Sequence, residues 1–185
     1  MRLLLHVCCA PCSIMPVTEL RAAGTAVTGF FYRHNIHPFS ECRRRQETLE
    51  RYAGQIGLDV IWQEGYDLEG FIRGVVYREQ ERCLVCYRER LSATAALARQ
   101  GNFDAYSTTL LYSRYQKHDA VREIGEAVGR TLGVAFHYRD FRPGWKLGID
   151  ESRRLGLYRQ NYCGCIYSEK ERFFRTAPSL SPILR

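Results

Sequence analysis

The sequence predicts an α/β protein with a mostly parallel sheet, because short apolar runs alternate with helix-compatible segments along its whole length. Residues 3–7 are an apolar run that stops at a cysteine-rich turn, as a buried strand would. Residues 16–23 then read as a helix closed by Gly24. A second strand follows at 27–32, and 40–56 is a strongly polar helix with Gly57 just past its end. Residues 58–62 give a third strand. The stretch 83–99 is a long helix, with Leu91, Ala95, Leu97 and Ala98 contributing to an apolar face. The Ser-Thr-Thr run inside 105–111 marks a fourth strand, 120–132 a helix and 134–138 a fifth strand. After Asp140 the chain reads as a helical extension. A chain of 185 residues fits one domain of about 100–200, so 1–175 are expected as a single α/β domain and 176–185 as a tail.

The start of the chain offers only a five-residue apolar stretch broken by His6. A secretory leader needs roughly 7–15 apolar residues and a membrane span about 20, so the expected address is the cytoplasm and no membrane partner is expected. The formal charge is +7, and only Lys117, Lys146 and Lys170 among the 27 basic residues are lysines. Arginine's planar fork suits phosphate and base recognition, which makes a nucleic acid a candidate partner. A basic protein whose arginines pair with its 20 acidic residues has the same composition.

Eight cysteines are many for a chain expected in a reducing compartment, where clustered thiols bind metal or do redox chemistry more often than they form disulfides. Cys8, Cys9 and Cys12 lie together, Cys83 and Cys86 form a C-x-x-C, and Cys163 and Cys165 flank Gly164; only Cys42 stands alone. In an open parallel sheet the ligand site lies outside the carboxyl ends of the strands. Cys8-Cys9-Ala10-Pro11-Cys12 therefore occupies the place of a phosphate-binding loop, without the glycines such a loop needs. Cys83 and Cys86, spaced i, i+3 at a helix start, face one side, and with Cys8 and Cys9 they offer four thiolates to an iron–sulfur cluster. A zinc knuckle uses the same C-x-x-C, but seven clustered cysteines exceed what one tetrahedral zinc takes. Cys163 and Cys165 can close a redox-active disulfide or chelate a metal. Cys12 is a third ligand or a small buried hydrophobe, and Cys42 is expected to be unimportant.

Polar residues at the strand ends complete the candidate site. His6 reads as a satisfied core residue. Asn35, His37 and Pro38 follow the second strand, where they contact a base or ribose or simply build a turn. Tyr115, Gln116 and His118 follow the fourth strand, which makes His118 the better general-acid candidate. Asp140 completes a metal's coordination or caps a turn.

The residues His6-Val7-Cys8-Cys9-Ala10-Pro11-Cys12-Ser13, Asn35-Ile36-His37-Pro38, Cys83-x-x-Cys86-Tyr87-x-x-Arg90-Leu91, Thr108-Thr109-Leu110-Leu111, Asp140-Phe141-Arg142-Pro143-Gly144 and Gly156-Leu157-Tyr158-Arg159-Gln160-x-Tyr162-Cys163-Gly164-Cys165 together resemble the QueH family of epoxyqueuosine reductases, from about residue 3 to about 174. The resemblance implies a Rossmann-like, adenine nucleotide α-hydrolase-like parallel sheet flanked by helices. It implies two-electron deoxygenation of epoxyqueuosine to queuosine at the tRNA wobble position, without cobalamin. It maps Cys8, Cys9, Cys83 and Cys86 onto 4Fe–4S ligands. Cys163 and Cys165 map onto a pair that is either redox-active or holds an additional iron, which Asp140 would help to bind. Arg33, Arg114 and Cys42 depart from the family pattern and touch the substrate side rather than the chemistry.

A reaction of this kind expects tRNA carrying epoxyqueuosine as partner, an electron donor of unspecified identity, and His118 or Asp140 as proton source. Tyr32, Tyr115 and Tyr158 are candidates to stack the base. Two other readings fit the cysteines less fully: a thiol–disulfide oxidoreductase using Cys83 and Cys86, and a zinc-stabilised RNA-binding module.

Overall fold

The structure, a computed structural model, describes residues 1–174; the tail expected at 176–185 lies outside them. Strands β1 (Arg2–Val7), β2 (Ala26–Phe31), β3 (Val60–Trp62), β4 (Ala105–Thr108) and β5 (Ala135–Phe136) form one sheet in the order β3-β2-β1-β4-β5. All four pairings are parallel, with Leu3 opposite Val27 on one side and Ala105 on the other. A central parallel strand is covered on both faces. Leu3, Leu4, Leu5 and Val7 are accordingly inaccessible to water, each stabilising the fold by about 1.5–3 kcal/mol.

The chain winds from β1 through α1 (Ala10–Ala22) to β2 and through α2 (Phe39–Ile56) to β3. It then returns through α3 (Leu68–Val75) and α4 (Arg82–Gln100) to β4, and through α5 (His118–Leu132) to β5. α4 packs over β1 and β4 and against α5, while α1 packs on α2 and on α6 (Trp145–Arg154). A last helix, α7 (Ile166–Phe173), completes the expected helical extension. The direction of winding reverses between β1 and β4. That reversal opens a crevice at the carboxyl ends of these two strands, the place where such sheets hold ligands.

Three differences from the sequence reading have a physical reason. α1 starts at Ala10 rather than near Pro16, because Pro11 in the first turn has no amide to satisfy and Pro16 is tolerated inside the helix. β4 ends at Thr108, whose hydroxyl accepts from the Leu110 amide at 3.1 Å and starts a 3-10 turn over Thr109–Tyr112. α3 was not expected. It is eight residues long and begins where the Asp67 carboxylate accepts from the Gly70 amide at 2.8 Å. None of the helices in the described residues is long and apolar enough to cross a membrane.

Candidate metal centre

β1 ends at Val7 and delivers Cys8 and Cys9 to the crevice. Cys9 is extended and caps α1, which puts Cys12 in the first helical turn. The sulfurs of Cys8, Cys9 and Cys12 all lie within 4.8 Å of one another, and those of Cys8 and Cys9 are 3.9 Å apart. All three residues are buried. Thr109, just past β4, accepts from the Cys8 amide at 3.3 Å and donates its hydroxyl to the Cys8 sulfur at 3.5 Å. Gln160 donates to the Cys9 sulfur at 2.9 Å and lies 3.6 Å from that of Cys12. Three distant segments thus meet at one sulfur group.

The electrostatics single out Cys8 as the first of the three to ionise. Hydrogen bonds from the Cys12 and Cys9 thiols, in that order, hold its proton affinity well below the ordinary thiol value against the opposing effect of burial. Burial pushes the Cys9 thiol up, and the bond to Cys8 does the same for Cys12. The amino end of α1 adds a favourable partial charge for an anion. Three convergent soft donors, one of them poised as a thiolate, fit a metal that prefers sulfur.

Cys83 and Cys86 lie in the first turns of α4, outside this trio. Arg90, one turn beyond Cys86, links the two groups. It donates from Nε to the Cys86 sulfur at 3.2 Å, from Nη1 to His6 Nε2 at 3.2 Å, and from Nη2 to the Asn35 carbonyl at 2.9 Å. Arg90 can only donate to Nε2, so His6 carries its proton on Nδ1, donates it to Thr108 Oγ1 at 2.8 Å and is neutral. Burial and Arg90 lower its pKa to about 3. His6 is therefore the satisfied core residue that the sequence suggested.

Cys163 is exposed and Cys165 buried at the start of α7. Cys163 is close enough to Cys83 to raise the latter's pKa, second to burial. Burial pushes Cys165 up to about 11. The segment carrying the pair is fastened by Arg45, which donates to the carbonyls of Cys163 at 3.1 Å and Tyr162 at 3.0 Å. Glu41 holds Arg45 at 2.7 Å and accepts from the Tyr158 hydroxyl at 2.6 Å. Gly164 sits at φ +118, and a Cβ there would lie 3.1 Å from Arg45.

Asn35 and His37 do structural work at this strap rather than lining an open mouth. Both are inaccessible to water. Asn35 donates to the Cys86 carbonyl at 3.3 Å, and the His37 amide donates to the Gly164 carbonyl at 2.6 Å. Tyr32 is buried, Tyr158 lies under Arg44 at 3.7 Å, and Tyr115 is 85% exposed. His118 Nε2 pairs with the Tyr138 hydroxyl at 3.1 Å, and burial followed by Arg142 lowers its pKa. Asp140 is gripped by Arg142 through both carboxylate oxygens, at 2.8 and 2.7 Å, which holds its pKa down at about 2. Neither His118 nor Asp140 is hydrogen-bonded to a cysteine among the described residues. Cys42 is buried in α2 and directed at the Arg33 carbonyl, at 3.8 Å.

The residues that the sequence reading gave no role are Arg90, Arg45, Gln160 and Thr109. Arg90 and Arg45 look like surface arginines in a chain full of them. Arg90 carries two signals, its place in the motif from Cys83 to Leu91 and its position one helical turn after Cys86, whereas Arg45 has only its position one turn after Glu41.

The family described as Epoxyqueuosine reductase QueH matches residues 3–171. The chain belongs to the QueH family. A QueH relative, the epoxyqueuosine reductase of Dehalococcoides mccartyi, is 36% identical over 172 residues, covering 93% of this chain and 94% of its own. The QueH protein of Thermotoga maritima is 35% identical over 179 residues, 91% of each chain. That of Histophilus somni is 30% identical over 181 residues, 92% of this chain and 73% of its own.

Proposed function

We propose that this QueH-family chain is an iron–sulfur oxidoreductase that converts epoxyqueuosine in tRNA to queuosine, the last step of queuosine biosynthesis. The observation that carries the reading is the buried group of Cys8, Cys9 and Cys12 thiols just past the carboxyl end of β1, beside Thr109 at the end of β4, in a chain that belongs to a family named for this reaction. Cys8, Cys9, Cys83 and Cys86 would hold a 4Fe–4S cluster, with Cys12 beside it. Such a cluster supplies electrons one at a time when bound.

Deoxygenation breaks both carbon–oxygen bonds of the epoxide, forms the ring double bond and releases the oxygen as water. It consumes two electrons and two protons. Oxidation of a Cys163–Cys165 dithiol to a disulfide releases both pairs, which balances the reaction, and an external reductant then restores the thiols. The alternative role for that pair, an additional iron shared with Asp140, has less support because Arg142 engages both oxygens of that carboxylate. In this scheme the exposed sulfur of Cys163 meets substrate, Arg45 and Gly164 hold the pair in place, and His118 and Asp140 stay outside the proton balance.

Anaerobic purification followed by metal analysis and an absorbance spectrum tests the cofactor. The expected result is about four or five irons with a broad band near roughly 400 nm. Colourless protein with stoichiometric zinc, after attempted cluster reconstitution, would defeat the iron–sulfur chemistry and favour a zinc-stabilised RNA-binding module.

A further inference from the structure

Arg90 is a permanent cation buried almost completely, at 2% exposure, and no carboxylate in the described residues pairs with it. The other deeply buried arginine near the site, Arg45, has Glu41 at 2.7 Å. Arg90 instead spends its fork on the Cys86 sulfur, a neutral imidazole and a carbonyl. Glu89, its neighbour on α4, forms no ion pair with it within 4 Å. An unpaired buried charge is too costly to persist without an anion close by. The groups that answer it electrostatically are Cys86, Cys8 and Cys163, one from each of the three cysteine segments.

We propose that Arg90 is a positioning residue whose fixed charge serves as the counterion of the whole cysteine centre, tying α4 to β1 and raising the centre's affinity for an electron. The proposal rests on the reading that Cys8, Cys9, Cys83 and Cys86 hold an iron–sulfur cluster. A cation within hydrogen-bond reach of a ligand sulfur favours the reduced state, since the added negative charge is attracted to it in a medium of low dielectric. Hydrogen bonding from Nε to the ligand sulfur acts in the same direction. Arg90 also holds His6 in one tautomer through Nε2.

The test compares anaerobically purified wild type, Arg90→Gln and Arg90→Lys by iron content and by midpoint potential in a redox titration. The expected result is iron retained in all three, a lower potential in Arg90→Gln, and a potential largely restored in Arg90→Lys. A purely structural role would change stability and leave the potential of the loaded protein where it was, so an iron-loaded Arg90→Gln with the wild-type potential overturns the proposal. Should Arg90→Gln fail to fold, Arg90→Met decides in its place: a lower potential in the iron-loaded protein supports the charge role and the wild-type potential overturns it. Wild-type protein that takes up no iron overturns the cofactor reading as well, whereas iron-loaded variants with unmoved potentials overturn the role of Arg90 alone.

Discussion

Thr109 supports the Cys8 sulfur and Gln160 those of Cys9 and Cys12, and single substitutions in the trio should separate ligands from bystanders. Cys9→Ser and Cys86→Ser are expected to lose most of the bound iron, measured by metal analysis after anaerobic reconstitution. Cys12→Ser is expected to retain iron if Cys83 and Cys86 complete the set; a Cys12→Ser protein without iron, beside an iron-loaded Cys83→Ser, would show that the buried trio is itself the ligand group. Cys163→Ser should abolish turnover while largely sparing the cluster's absorbance, and normal activity in that variant would remove the second pair from the mechanism. Arg45→Ala is expected to destabilise the fold by about 3–5 kcal/mol in urea unfolding, since it leaves the Glu41 carboxylate buried without its cation. At this scale the cysteines were legible because their residue type and clustering are rare. The roles of Arg90 and Arg45 were not, because a buried arginine and an exposed one are written with the same letter, and that of Gln160 was not, because a hydrogen bond to a sulfur leaves no mark in a sequence.

Among the elements, the segment 157–165 matters most, because Gln160 ties it to the cysteine turn while Tyr158 and Tyr162 fasten it to Glu41 and to the His37 carbonyl. Gly164→Ala should loosen it. The left-handed backbone there strains any side chain, and the added methyl would meet Arg45. We expect faster alkylation of Cys165 by a thiol reagent in Gly164→Ala than in wild type; equal rates would mean that the strap does not shield it. Gly125 provides a contrast far from this strap. A Cβ at Gly125 would lie 2.5 Å from the Phe136 ring, so Gly125→Ala should cost about 1–3 kcal/mol of stability with iron binding unchanged. The strands and the helices at α2, α4 and α5 were legible from apolar runs and closing glycines. α1 was placed too late because its first residues were read as a cysteine-rich turn, and α3 was missed because eight residues give too little periodicity to read. The strap's attachment was invisible, since hydrogen bonds to carbonyls leave no mark in a sequence.

Across the whole molecule, burial keeps histidines neutral, and this gives stability a definite pH dependence. His37 is inaccessible, and burial followed by Arg90 lowers its pKa to about 4. Between pH 6.5 and about 4 the unfolded chain binds a proton that the folded chain refuses, so stability falls as pH drops through that window. The loss from this one group approaches about 3 kcal/mol by pH 4, and it should be smaller in His37→Gln, as read from urea midpoints at pH 7 and pH 4.5. The parallel sheet delivers Cys8 and Cys9 past the carboxyl end of β1, which is why the site's location was legible from the run of strands while the attachments that close it were not. The central claim is catalytic. The measurement that tests it most directly is mass spectrometry of the nucleosides from epoxyqueuosine-containing tRNA after anaerobic incubation with the iron-loaded protein and a chemical reductant, without cobalamin. The account predicts loss of one oxygen atom and appearance of queuosine with wild type but not with Cys163→Ser. Unchanged epoxyqueuosine with fully loaded, reduced wild-type protein would contradict it.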